Sequence, residues 1–164
     1  MGHFHCLDAT SGEVLWKKDL QKEYEIQMPI WGIAASPLIY QNLVIQQVCG
    51  AGDACMVAYD KLSGKEIWRA LKDRGAYASP ILIRQADRVW MFNERGELMI
   101  TKLSKQGLQI LSRSKLIEPT RDQLGQRGGV CWSHPAFAEK SIFARNDKQL
   151  VRVSLEASST QGNQ

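Results

Sequence analysis

The sequence predicts an all-β protein of short antiparallel strands, on three observations. Two motifs recur and interleave in fixed order, strand-length apolar runs fill the intervals, and helical spacing of apolar residues is scarce. The first motif is Asp-x-x-x-Gly-x-x-x-Trp, read at Asp8, Gly12 and Trp16 and again 52 positions later at Asp60, Gly64 and Trp68. A degenerate copy follows at a further 43 positions, with Gly107 in the glycine place and Leu103 and Leu111 where the aspartate and tryptophan stood. The second motif is a proline opening an apolar hairpin, at Pro37, Pro80 and Pro135. One motif can recur by accident; two interleaved series mean one repeated structural unit.

Taken in order, residues 1–20 supply the last two strands of one unit, around HFHCL and EVLWKKDL. A second unit over 36–70 opens with PLIYQNLVIQQV, which reads as a hairpin, and continues with ACMVAYD and KEIWRAL around the Ser63–Gly64 turn. The third repeats that plan over 79–115 as PILIR, RVWMFN, ELMITKL and LQILSRS. AFAE, SIFARN and QLVRVSL, with a turn at Asn146 and Asp147, begin a further unit over 135–155. Four short antiparallel strands in a unit of about 45 residues describe a propeller blade, a small twisted sheet whose two faces are buried only by stacking on its neighbours. Trp16 and Trp68, each early in an outermost strand, are placed to fill the gap between adjacent sheets. The aspartate can accept N–H groups of the turn, and the glycine can take a positive φ there. Nothing in the motif requires chemistry. About three blade equivalents are present where closed propellers typically need about four to eight, so the expected architecture is an open arc or fragment of a seven- or eight-bladed propeller.

Residues 6–16, CLDATSGEVLW, and 58–68, AYDKLSGKEIW, resemble the tryptophan-docking repeats of the pyrroloquinoline-quinone-like β-propellers. WSHPAFAEKSIFARNDKQLVRVSL is similar to the opening strands of blades in bacterial members, and the resemblance spans nearly the whole chain. It implies the propeller fold and an extracytoplasmic or periplasmic location. That superfamily includes quinone-dependent alcohol dehydrogenases and outer-membrane assembly lipoproteins, so it implies two functions. One is a noncatalytic scaffold for protein or ligand interaction; the other is a fragment of a quinone-dependent alcohol or sugar dehydrogenase. The dehydrogenases hold a quinone and a calcium ion over the propeller axis, beside a catalytic aspartate. No stretch here matches those segments, and their adjacent cysteine pair is missing, since Cys49 and Cys55 are separated by five residues. No catalytic, cofactor-binding or metal residue is therefore carried over, and a scaffold without cofactor is the expected reading.

Composition agrees with a folded domain. Of 164 residues, 44% are apolar and 23% charged, which excludes a disordered chain, and the net charge of +4 favours anionic partners only mildly. No run reaches the roughly 18 apolar residues of a membrane span, and MGHFHCLDAT lacks the pattern of an export signal. Four cysteines are too few for a disulfide scaffold and too scattered for a zinc cluster. Cys49 and Cys55 bracket the flexible GAGDA, where they can bridge in an oxidising compartment or stand as two ordinary thiols; both readings remain open. His3 and His5 fall on one side of a strand but need a third metal ligand, and Asp53 lacks the alternating oxygens of a calcium loop. The longest interval between blade starts carries Lys105, Arg113, Lys115, Arg121 and Arg127, with His134 just beyond. That basic loop is the expected contact for a protein or an anionic ligand. Sequence-specific nucleic-acid binding has no recognition helix or stacking aromatics to support it. The expected partner is a protein, or a second copy meeting exposed blade faces.

Overall fold

A computed structural model describes residues 2–27, 32–33, 35–72, 83–85, 88–120 and 129–156. Its strands form four separate antiparallel sheets in which every hydrogen-bonded neighbour is also a neighbour in sequence. The first pairs β1 (His3–Leu7) with β2 (Val14–Asp19) and is followed by a single helical turn, α1 (Leu20–Glu23). The second is the meander β3 (Leu38–Tyr40), β4 (Leu43–Gln47), β5 (Met56–Asp60) and β6 (Glu66–Ala70). The third is β7 (Ile83–Gln85), β8 (Arg88–Phe92), β9 (Glu97–Leu103) and β10 (Leu108–Lys115). The fourth holds β11 (Ala136–Ala138), β12 (Ser141–Arg145) and β13 (Leu150–Ser154). The sheets do not close into a barrel; they stack face to face as blades.

Stacking follows from the two-residue period of a strand. On β5, Val57 and Tyr59 point to the first sheet and join Leu20, Tyr24, Ile26, Val48 and Ala54, with Phe4 packed against them. Met56 and Ala58 point the other way and meet Trp68, Val89, Met91, Met99 and Leu103. The third sheet divides likewise: Trp90, Phe92 and Leu98 face Ile142 and Ala144 of the fourth. Because the central strands are covered on both faces, LVIQQ and RVWMF are nearly continuous apolar runs, whereas β1 and β13 alternate. Two buried polar side chains among the described residues are paired inside these sheets. Gln46 Nε2 donates to the carbonyls of Ala35 and Gln47, both at 3.0 Å, and Thr101 Oγ1 donates to that of Val89 at 3.1 Å.

The helical turn α1 has no counterpart among the sequence expectations. Asp19 caps it, its carboxylate accepting the Lys22 N–H at 3.2 Å, and Leu20 drives into the core. Four residues are too few for apolar periodicity to register. Among the described residues no helix is long and apolar enough to cross a membrane.

Candidate interaction surface

The two full copies of the motif fold into the same turn. Asp8 Oδ1 accepts the N–H groups of Thr10 at 2.9 Å and Ser11 at 2.8 Å, and Asp60 Oδ1 accepts those of Leu62 at 3.2 Å and Ser63 at 2.8 Å. Gly12 and Gly64 close the turns at φ 75° and 69°, each N–H returning to the aspartate carbonyl. Trp16 then leaves its own sheet and docks on the Gly64 turn of the next one. Its Nε1–H donates to the Lys61 carbonyl at 3.0 Å, and a Cβ on Gly64 would stand 2.7 Å from the indole. The glycine is thus fixed twice, by its φ and by the ring lying on it.

Turn hydrogen bonds hold both carboxyls below the ordinary value of 3.8, chiefly the Ser11 N–H at Asp8 and the Ser63 N–H at Asp60. Depressed folded-state values contribute stability above the unfolded value that disappears as pH falls through the folded one. Melting temperature is expected to drop on acidification below about pH 4. Asp60→Asn keeps an oxygen acceptor but removes the charge, so a thermal melt series should show a shallower acid slope for that variant. An unchanged slope would show that the turn carboxylate does not contribute.

The degenerate third copy departs from this plan. Ser104 N–H bonds the Gly107 carbonyl at 2.9 Å, a different turn, and nothing stands within 4 Å of where a Cβ on Gly107 would be. The β9–β10 bulge falls between Ile110 and Ser112, so Leu111 in the tryptophan place is the extra residue and is 45% exposed. Trp68 consequently packs on the side chains of β8 and β9 rather than on a glycine turn, and its Nε1 is buried without a partner among the described residues. The next contact uses a strap instead of an indole. Leu116 N–H and Ile117 N–H both reach the Gly96 carbonyl, at 2.8 and 3.3 Å, and Cys131 N–H reaches that of Glu94 at 2.8 Å. On its other side the strap grips the fourth sheet, where Thr120 Oγ1 meets Asp147 Oδ2 at 2.6 Å and Asn146 Nδ2 donates to the Glu118 carbonyl at 2.8 Å.

The basic residues that the sequence groups in one loop begin ahead of this strap, on and beside β10. Arg113 and Lys115 lie on one face of β10, where every residue from Gln109 to Lys115 is exposed. Arg113 pairs with Glu97 at 3.6 Å and contacts the Met99 sulfur at 3.2 Å; Lys115 pairs with Glu118 at 3.2 Å. Lys105 and His134 are exposed, and Arg121, Arg127 and Pro80 lie outside the described residues. On β1 the His3 and His5 rings are 6.2 Å apart, and no group of three or more potential metal ligands occurs among the described residues.

One cluster carries no signal in the repeat pattern. Tyr59, wholly buried, donates from its hydroxyl to Tyr24 Oη at 3.0 Å, and Tyr24 donates to Glu66 Oε2 at 2.6 Å. Arg69 clamps the same carboxylate at 2.8 and 3.0 Å and lies over the Tyr24 ring. Burial pushes both phenols up, while at Glu66 the opposing effect of burial is outweighed by Arg69 and Tyr24, which hold the carboxyl down. The network ties α1 to β5 and β6 and serves the contact between the first two sheets. Close by, Cys49 and Cys55 are not bridged to each other, and Cys49 Sγ lies 3.8 Å from the Cys55 carbonyl oxygen.

The family model described as outer membrane protein assembly factor BamB matches residues 1–163. Among solved structures, BamB from Moraxella catarrhalis is similar with a TM-score of 0.63 at 17% identity, over 94% of this chain and 44% of that one. At such identity the likeness concerns the fold. Two curated relatives match over 86 residues each: the quinoprotein ethanol dehydrogenase of Pseudomonas aeruginosa at 33% identity and the quinoprotein alcohol dehydrogenase PedE of Pseudomonas putida at 30%. Each match covers 52% of this chain and 12% of the relative.

Proposed function

The chain belongs to the family of outer membrane protein assembly factor BamB, and from that premise we propose that it is a noncatalytic propeller scaffold that binds a protein partner outside the cytoplasm. The family match over residues 1–163 carries this reading. A rigid stack of sheets presenting an exposed edge strand suits it: β10 is uncovered along its length, and an extended segment of a partner can add to such an edge through main-chain hydrogen bonds. Arg113 and Lys115 beside that edge favour a segment bearing carboxylates, which would compete with Glu97 and Glu118 for them.

The match to the quinoprotein ethanol dehydrogenase favours a second reading, a segment of a quinone-dependent dehydrogenase. Two measurements separate them. A photo-crosslinking residue at Ser114 on β10 is expected to trap one discrete protein in cells, and the same residue at Thr10, on an exposed turn of the first sheet, is expected to trap none. Saturable binding of pyrroloquinoline quinone with calcium by the purified chain would overturn the scaffold in favour of the enzyme. Equal trapping from both positions would overturn β10 as the contact.

A further inference from the structure

The geometry of the β4–β5 connection points to a redox site: we infer that Cys49 and Cys55 form a reversible disulfide that locks the loop on which Tyr24 docks. The inference stands apart from the proposed partner binding. Beyond the last ladder pair, Gln47 with Met56, the strands continue through a bulge in which Val48 N–H and Cys49 N–H both donate to the Cys55 carbonyl, at 2.8 and 3.1 Å. That sets Val48 and Cys49 together opposite Cys55. Regularly opposed residues have Cα atoms about 4.5–5.5 Å apart and a disulfide spans roughly 4.4–6.8 Å, so a bulge that holds the Cys49 N–H on the Cys55 carbonyl keeps the two residues near bridging range. The Cys49 side chain already leans across the gap, 3.8 Å from the Cys55 oxygen. The intervening turn holds Gly50 and Gly52, the latter at φ 70°, and gives the small adjustment bridging needs.

The two thiols differ in access, which orders the reaction. Cys49 is half-buried and its sulfur receives the Gln47 amide at 3.5 Å, whereas Cys55 is buried. With a small disulfide of the glutathione class as oxidant, the Cys49 thiolate attacks one oxidant sulfur; the S–S bond breaks and one thiol leaves with the electron pair and a proton. Cys55 then attacks the Cys49 sulfur of the mixed disulfide and expels the second thiol. The protein loses two electrons and two protons, and the oxidant gains them as two thiols.

The bridge matters because of what rests on the loop. Ala51 N–H donates to the Tyr24 carbonyl at 2.9 Å, and a Cβ on Gly50 would come within 2.5 Å of Tyr24. Tyr24 ends α1 and is the middle link of the hydroxyl chain that runs from Tyr59 to Glu66. Oxidation therefore stiffens the platform that holds the first sheet to the second.

The test uses the full chain equilibrated with oxidised or reduced glutathione. Non-reducing peptide mapping is expected to find Cys49 linked to Cys55, and amide exchange at Ala51 is expected to slow about tenfold on oxidation. Replacing Cys6 and Cys131 together by serine should leave both results intact, and Cys49→Ser should abolish both. A glutathione adduct that persists on Cys49 without closing to Cys55 would overturn the bridge. Closure with unchanged Ala51 exchange would overturn its link to Tyr24.

Discussion

Replacing Trp68 by alanine is expected to cost about 4 kcal/mol and to lower the melting temperature by about 12 °C. Its indole is 7% exposed and joins Leu43, Ile45, Met56 and Ala58 of the second sheet to Val89, Met91, Met99 and Leu103 of the third. Truncation removes a large buried area and leaves a gap between two sheets that cannot close without moving whole blades. Phenylalanine distinguishes the ring from its N–H. At position 68 the indole donor has no partner among the described residues, so Trp68→Phe recovers most of the packing and removes a buried unpaired group. At position 16 the same change also deletes the bond to the Lys61 carbonyl, a loss of about 1 kcal/mol. Denaturant unfolding of the two phenylalanine variants should therefore rank Trp16→Phe as the costlier relative to its own alanine variant. The opposite ranking would mean that the Trp16 bond to Lys61 contributes less than the N–H of Trp68.

The repeat spacing exposed the architecture because a propeller reuses one solution. Asp, Gly and Trp stand in the same relation twice, and both sets of backbone bonds, as well as the bulge preceding each tryptophan, fall at equivalent places. Legibility ended where the pattern degenerated. Leu111 occupies the tryptophan place in sequence, yet moving the bulge by one residue turns it outward, and no composition signal reports a bulge. The strap from Leu116 to Thr120 was readable only as a basic loop, since its work is done by backbone groups bonding Gly96. Its charges are shared with carboxylates: Glu97 meets Arg113 only through the fold, whereas Glu118 stands three residues from Lys115. Tyr24 and Tyr59 have no signature in the sequence, because a hydroxyl chain between residues 35 apart has no periodicity to mark it.

Gly96→Ala is expected to be as damaging as loss of an indole, although only one methyl is added. Gly96 sits at φ 74°, and a Cβ there would stand about 2.0 Å from the Ile117 carbonyl oxygen and 2.9 Å from its Cγ2. The obstruction is backbone, so no side-chain rotation relieves it. Left-handed strain and forced separation together amount to about 4 kcal/mol. Gly12 supplies the control, because its φ of 75° is nearly the same and nothing lies within 4 Å of its absent Cβ. Gly12→Ala should therefore carry the conformational strain alone, about 1 kcal/mol. The difference between the two variants measures how tightly the strap presses on the β8–β9 turn. Equal losses would mean that Leu116 and Ile117 do not hold the third and fourth sheets together, and that their contact relies on Trp90, Phe92 and Ile142 alone.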